Sequence, residues 1–202
     1  MIVIVDYGCG NLGSIKNMLK KAGYDSLITS DKNEIQKAGK LILPGVGAFD
    51  TGIKNLKQAD MFELLNKKVL EEKTPVLGIC LGMQLMTKRS EEGKETGFGW
   101  IDAEVVKFIP GKEGLKIPNM GWNEIKVKKE SKLFKNADEN QRFYFVHSYY
   151  VKCAHPDDVI ATAEFGHEYV CAFGKENIYG VQFHPEKSHK YGLQLLTNFA
   201  QL

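Results

Sequence analysis

A chain of 202 residues carries enough hydrophobic residues, 43%, to bury a real core, and its 26% of charged residues are mixed in sign, which argues against disorder. The formal charge of +2, from 27 Lys+Arg against 25 Asp+Glu with no basic block, argues against nucleic acid. Only two of the basic residues are arginines, Arg89 and Arg142, which disfavours a phosphate clamp built on planar, bidentate donors.

The opening Met1-Ile2-Val3-Ile4-Val5-Asp6 is apolar at once and stops at an acid, so it reads as a short strand and not as a signal peptide. A glycine-rich turn, Gly8-Cys9-Gly10-Asn11-Leu12-Gly13, opens a helix from Leu12 to about Lys21, closed by Gly23. Asp25 to Ile28 and Lys40 to Leu43 read as strands, the second stopped by Pro44-Gly45. Helical stretches follow around Ile53 and from Met61 to Leu70. Pro75 introduces a buried strand, Val76 to Ile79, and after Cys80 the pattern is helical through Met86. Strands alternating with helices imply βαβ units and a parallel sheet. From Phe98 to Tyr179 aromatic and β-branched residues dominate, with alternation such as Glu124-Ile125-Lys126-Val127-Lys128, which predicts an added antiparallel or mixed layer. A last strand, Ile178 to Phe183, leads through a loop to an amphipathic helix ending at Leu202. The expected fold is α/β: a mostly parallel central sheet flanked by helices, with an additional antiparallel β layer, in a single domain over residues 1–202. No run approaches a membrane span. Four scattered cysteines without a CxxC, at 9, 80, 153 and 171, fit free thiols in a reducing cytoplasm, and no His/Cys/Asp spacing suggests a metal.

The first glycine turn matches G-x-G-x-x-G between a strand and a helix, the setting of a dinucleotide-binding fingerprint. A nucleotide-binding oxidoreductase is therefore one reading. A plain tight turn is the other, and it is favoured because the second strand ends in Ile28-Thr29-Ser30 without an acid, while Asp31 reads as a cap or turn residue. The stronger chemistry lies at Gly78-Ile79-Cys80-Leu81-Gly82, the thiol counterpart of the G-x-S-x-G elbow. There a strand ends, the chain turns sharply and a helix begins, so the side chain points out at the sheet end and the helix N-terminus favours its anion. The Leu81 amide would face a developing oxyanion. A buried structural cysteine is the plainer alternative, but it would not need glycine on both sides. The base and its orienter are expected in His184-Pro185-Glu186, where an extended chain places His184 and Glu186 on one side. His147, among aromatics and without an adjacent acid, reads as a core or supporting histidine; His155, His167 and His189 read as surface groups. Gly45-Val46-Gly47 after a strand offers backbone amides to a ligand. A peptidase or esterase would share the elbow.

Together these residues resemble the class I (triad) glutamine amidotransferases, whose marks are the elbow followed by Gln84 and a late His-Pro-Glu. Asp6-Tyr7-Gly8, Leu43-Pro44-Gly45-Val46-Gly47-Ala48-Phe49, Pro118-Asn119-Met120-Gly121-Trp122-Asn123, Tyr144-Phe145-Val146-His147-Ser148-Tyr149 and Gln182-Phe183-His184-Pro185-Glu186-Lys187-Ser188 extend the likeness over essentially the whole chain. Within that class it is similar to the glutaminase subunits of imidazole glycerol phosphate synthases. The resemblance implies a Cys80-His184-Glu186 triad, an oxyanion hole from the Val46 and Leu81 amides, and glutamine contacts from Gln84, Glu92, Ser148 and Tyr149. It also implies no cofactor and a heterodimer with a (β/α)₈-barrel cyclase, docked through Asn11, Met120, Trp122 and Lys187. A glutaminase for another synthase shares the same marks.

Overall fold

The computed structural model describes residues 1–109, 116–136, 138 and 140–202. Its strands are β1 (Ile2–Val5), β2 (Ser26–Thr29), β3 (Lys40–Gly45), β4 (Val76–Cys80), β5 (Arg89–Ser90), β6 (Ala103–Lys107), β7 (Asn119–Val127), β8 (Arg142–His147), β9 (Tyr149–Cys153), β10 (Val159–Glu164), β11 (Glu168–Lys175) and β12 (Ile178–Val181). The helices are α1 (Leu12–Lys21), α2 (Lys32–Gln36), α3 (Phe49–Gln58), α4 (Phe62–Asn66), α5 (Leu81–Leu85) and α6 (His189–Ala200).

One twelve-stranded sheet runs in the order β2-β1-β3-β4-β12-β11-β10-β7-β8, with β9 joining β11 to β6, and β6 to β5. The first five strands of that path are parallel, and β12 turns the sheet antiparallel where it meets β11. The expected added layer is therefore continuous with the parallel sheet through one shared strand.

Period-two alternation divides β1 between two cores. Ile2 and Ile4 face α1 and α6 together with Leu77, Phe143, Phe183, Leu195 and Phe199. Val3 and Val5 face the opposite side with Leu43, Ile53, Leu56, Leu81 and Met83. Burial on both faces explains why β1, β3 and β4 are near-continuous apolar runs. α1 ends where Gly23 takes φ +85°, with Gly23 N–H bonded to Lys20 O and Tyr24 N–H to Leu19 O, the 5→2 and 6→1 pair that satisfies its last carbonyls.

Three expectations are adjusted. The helix read over Met61 to Leu70 begins at Phe62 and widens to π geometry over Lys67–Glu71. The last strand stops at Val181, two residues short of Phe183. Pro185–Lys187 is a 3₁₀ turn, not extended chain, because proline favours the first position of a helical turn. Among the described residues no helix is long and apolar enough to cross a membrane.

Candidate active site

The site gathers at the C-terminal ends of β3, β4 and β12. Cys80 closes β4 with φ +53° and ψ −107°, a region that L-residues rarely occupy, and α5 begins at the next residue. Close packing makes this turn possible. A Cβ on Gly78 would stand 2.7 Å from the Met83 nitrogen, and one on Gly82 would overlap the Leu43 carbonyl oxygen. Both glycines let the turn fold against its own helix and against β3, as the elbow reading requires. The Leu81 N–H lies in the first turn of α5, where no intrahelical acceptor exists.

The β3–β4 register places Gly45 opposite Cys80. Gly45 has no room for a side chain, since a Cβ there would overlap the Tyr7 hydroxyl and meet Leu81 Cβ at 2.9 Å. Val46, next along, is 49% exposed, and Gly47 takes φ +116°. Buried Tyr7 donates its hydroxyl to Pro44 O at 2.5 Å, so the start of this loop is clamped. At the loop's other end the Phe49 N–H donates to Glu92 Oε2 at 2.9 Å. Glu92 thus sits at the N-terminus of α3, a favourable place for a carboxylate.

His184 and Glu186 meet, with Nδ1 2.8 Å from Oε1. The pairing arises from the 3₁₀ turn. Ser188 holds that turn by donating its hydroxyl to His184 O at 2.6 Å and accepting the Tyr144 N–H at 3.0 Å. His184 Nε2 and Glu186 Oε2 are buried without a hydrogen-bond partner among the described residues. Burial alone favours neutral imidazole, but the neighbouring Cys80 and Glu186 outweigh it and push the His184 pKa up to about 10. The thiols of Cys9, Cys153 and Cys171 are all pushed up, chiefly by burial, Cys153 to about 12, so each is held protonated.

Gln84 Nε2 donates to Tyr149 O at 3.3 Å and to Gln182 Oε1 at 3.1 Å, and Gln182 Nε2 lies 3.7 Å from Cys80 Sγ. Ser148, beside Tyr149, is half-buried and its carbonyl accepts the Phe108 N–H. Sequence reasoning passed over the roles of Tyr7 and Gln182. The available signal for Gln182 was a polar residue inside the apolar run Val181-Gln182-Phe183. The glycine turn also resolves. Gly13 of the fingerprint has open space around its Cβ position, and Asp31 caps α2 by accepting the Asn33 N–H at 2.7 Å. Neither serves a nucleotide fingerprint, where the last glycine admits close helix packing and the acid reaches a ribose. Among the described residues no group of His, Cys, Asp and Glu could hold a metal.

His147 is buried, with Nδ1 2.7 Å from Tyr149 O and Nε2 3.1 Å from Asn119 Nδ2. Burial lowers its pKa to about 4 from an ordinary 6.5. Between those values the unfolded chain binds a proton that the fold refuses, so stability falls as pH falls through this window. Urea unfolding at pH 7 and 4.5 is expected to show His147→Gln losing about 2 kcal/mol less than wild type between the two. Parallel losses would mean that His147 is charged in the fold.

On the β7 side, Met120 is 63% and Trp122 41% exposed. They share the sheet face that also carries Tyr144, the cross-strand partner of Trp122. Trp122 stacks on exposed His189 with ring centroids 5.4 Å apart, and Lys187 Nζ lies 5.5 Å from the Tyr144 ring. Lys187 is exposed, though not by strand alternation, since it ends the 3₁₀ turn. Asn11 is exposed at the start of α1 and its side chain makes no cap bond.

The family described as "Glutamine amidotransferase class-I" matches residues 3–201. The chain is 57% identical over 199 residues to "Imidazole glycerol phosphate synthase subunit HisH 2" of Methanococcus maripaludis, covering 98% of each chain. It is 45% identical over 202 residues to the protein of the same description from Pseudomonas aeruginosa, covering 100% of both. "Imidazole glycerol phosphate synthase subunit HisH 1" of Methanococcus maripaludis is 45% identical over 207 residues, again with full coverage. Among solved structures, PurLQS from Thermotoga maritima superposes with a TM-score of 0.74 at 16% identity. That match covers 99% of this chain and 97% of the other, a likeness of fold.

Proposed function

The chain belongs to the class-I glutamine amidotransferase family, and we propose that it is the glutaminase subunit of an imidazole glycerol phosphate synthase, serving histidine biosynthesis. The observation that carries this reading is a cysteine on a strained elbow beside a buried His–Glu pair from the turn that follows the adjacent strand. One domain, residues 1–202, does the work in a reducing cytoplasm.

Cys80 Sγ, having already given its proton to His184 Nε2, attacks the side-chain amide carbon of glutamine. Glu186 keeps the ring oriented through Nδ1 and stabilises the imidazolium. The tetrahedral oxyanion is met by the Leu81 and Val46 N–H groups, with Gly45 and Gly47 giving that peptide its freedom. The C–N bond breaks as His184 returns the proton to the leaving nitrogen, and ammonia departs. His184 then takes a proton from water, the hydroxyl attacks the thioester, and glutamate leaves as the Cys80 thiol re-forms. Gln84, Glu92, Ser148 and Tyr149 hold the glutamine backbone groups. Ammonia released into water would be protonated and lost as a nucleophile. A sealed route avoids this loss, and the family resemblance implies the partner at its end: a (β/α)₈-barrel cyclase that makes imidazole glycerol phosphate and an aminoimidazole carboxamide ribonucleotide.

The test is co-purification with the barrel cyclase, with glutamine hydrolysis measured for the chain alone, with the cyclase, and with cyclase plus its ligand. An oxyanion donor is worth about 10²–10³ in rate. Val46 sits on a loop clamped by Tyr7 on one side and free at Gly47 on the other, so a rise of that order is expected on assembly. Equal rates in all three states would refute coupling. A glutaminase serving another synthase would share the same elbow and His–Glu pair. Glutamine-driven cyclase product decides between them: hydrolysis without that product selects the second.

The proposed docking face comprises Met120, Trp122 and Lys187, together with Asn11 in the N-terminal turn. Interfaces favour exposed Trp and Met anchors. Trp122→Ala is expected to weaken association by about 2 kcal/mol, and Lys187→Ala chiefly to slow it. Calorimetric titration of the cyclase against each folded variant checks this, and wild-type affinity for both would put the face elsewhere.

A further inference from the structure

One carbonyl sets the direction of a buried hydrogen-bond network that ends on the nucleophile. Tyr149 O can only accept. Two donors reach it, His147 Nδ1 at 2.7 Å and Gln84 Nε2 at 3.3 Å. The first contact fixes the His147 tautomer with its hydrogen on Nδ1, leaving Nε2 to accept from Asn119 Nδ2 at 3.1 Å. The second fixes the Gln84 amide with its NH₂ group inward, and the other hydrogen of that group goes to Gln182 Oε1 at 3.1 Å. Gln182 therefore cannot turn its oxygen toward Cys80 without setting two donors against each other. Its Nε2 is left 3.7 Å from Cys80 Sγ. Gln182 is 0% exposed, so no water competes for these groups, and its backbone is held by an N–H bond to Cys171 O at 2.9 Å. A buried amide costs stability unless its groups are paired, and here one partner is a sulfur.

We infer that Gln182 is a positioning residue for the nucleophile: its side-chain N–H donates to Cys80 Sγ, aims the sulfur and favours the thiolate over the thiol. A hydrogen bond to an ionised acceptor is stronger than one to a neutral acceptor, so an N–H fixed in this direction is selective for the charged sulfur. The same amide braces Gln84, so nucleophile and glutamine contact are set by one side chain. This inference rests on the reading of Cys80 as the nucleophile.

The test uses the full chain and Gln182→Met, which keeps the length of the side chain and removes its donors. Alkylation of Cys80 by iodoacetamide is followed against pH by peptide mass spectrometry, which separates Cys80 from Cys9, Cys153 and Cys171. The midpoint of the profile is expected to rise by about one pH unit in the variant, with alkylation about tenfold slower below it. A merely structural role would leave the midpoint in place. A folded variant whose profile superimposes on wild type would overturn the inference. Should Gln182→Met not fold, the wild-type chain still decides. The Gln182 side-chain amide signals in ¹H–¹⁵N spectra are expected to shift as Cys80 ionises and to stay fixed over that range in Cys80→Ala. Signals indifferent to Cys80 would equally overturn it. Glutamine hydrolysis by the wild-type complex is measured separately, so a failed glutaminase and a failed Gln182 role give different results.

Discussion

Replacing Cys80 by serine is expected to lower glutamine hydrolysis by roughly 10³-fold or more and to leave the fold and the ammonium-driven reaction of the complex intact. Serine carries the same Cβ through the strained turn at φ +53°, so the backbone sees no new demand. The hydroxyl, however, does not ionise near neutral pH, and even with His184 beside it the attack on an unactivated amide slows. No other thiol can substitute. Cys9, Cys153 and Cys171 are all held protonated, and Cys171 is sealed in the core. Ammonium-driven synthesis survives because that chemistry belongs to the cyclase. Glutamate release, product formation from ammonium and thermal unfolding are the three measurements. Hydrolysis near the wild-type rate would move the nucleophile away from Cys80.

Gly82→Ala is expected to cost more than about 4 kcal/mol. The added methyl group would overlap the Leu43 carbonyl oxygen and stand 2.7 Å from its carbon. Those atoms are backbone in a strand held on both sides, by β1 and by β4, so they cannot swing away as a side-chain end would. The strand and α5 must separate, which opens the core at Leu43 and Leu81 and withdraws the elbow from Gly45. Gly47→Ala is the control, since its Cβ position has open space and only its positive φ resists. Denaturant unfolding of both variants measures the difference. Similar stabilities would mean that α5 sits farther from β3.

The elbow was legible in the sequence because its geometry excludes side chains at two positions, and glycines at 78 and 82 record that exclusion directly. The pairing of His184 with Glu186 was legible too, but for an incomplete reason. Spacing by two suggested an extended chain, whereas Pro185 at the first position of a 3₁₀ turn and Ser188 stapling that turn to β8 bring the groups together. The role of Gln182 was not legible, because a single glutamine in an apolar strand end names no partner. Its partners lie 102 and 98 residues away, and only the sheet order brings them near. The junction of the two halves was hidden for the same reason: β12 is four residues long and looks like any short strand, while its importance comes from what flanks it.

That placement has a consequence for how the chain is made. Synthesis from the N-terminus delivers β4 and β11 before β12, yet β12 is the strand between them. Until it inserts, each half-sheet carries a bare edge of unpaired amides and carbonyls, the most association-prone surface a nascent polypeptide can show. His184 and Glu186 arrive with the same late segment. The growing chain therefore holds Cys80 without the His184–Glu186 pair until the last strand closes the gap. On the proposed mechanism, catalytic competence waits on β12 and the turn behind it.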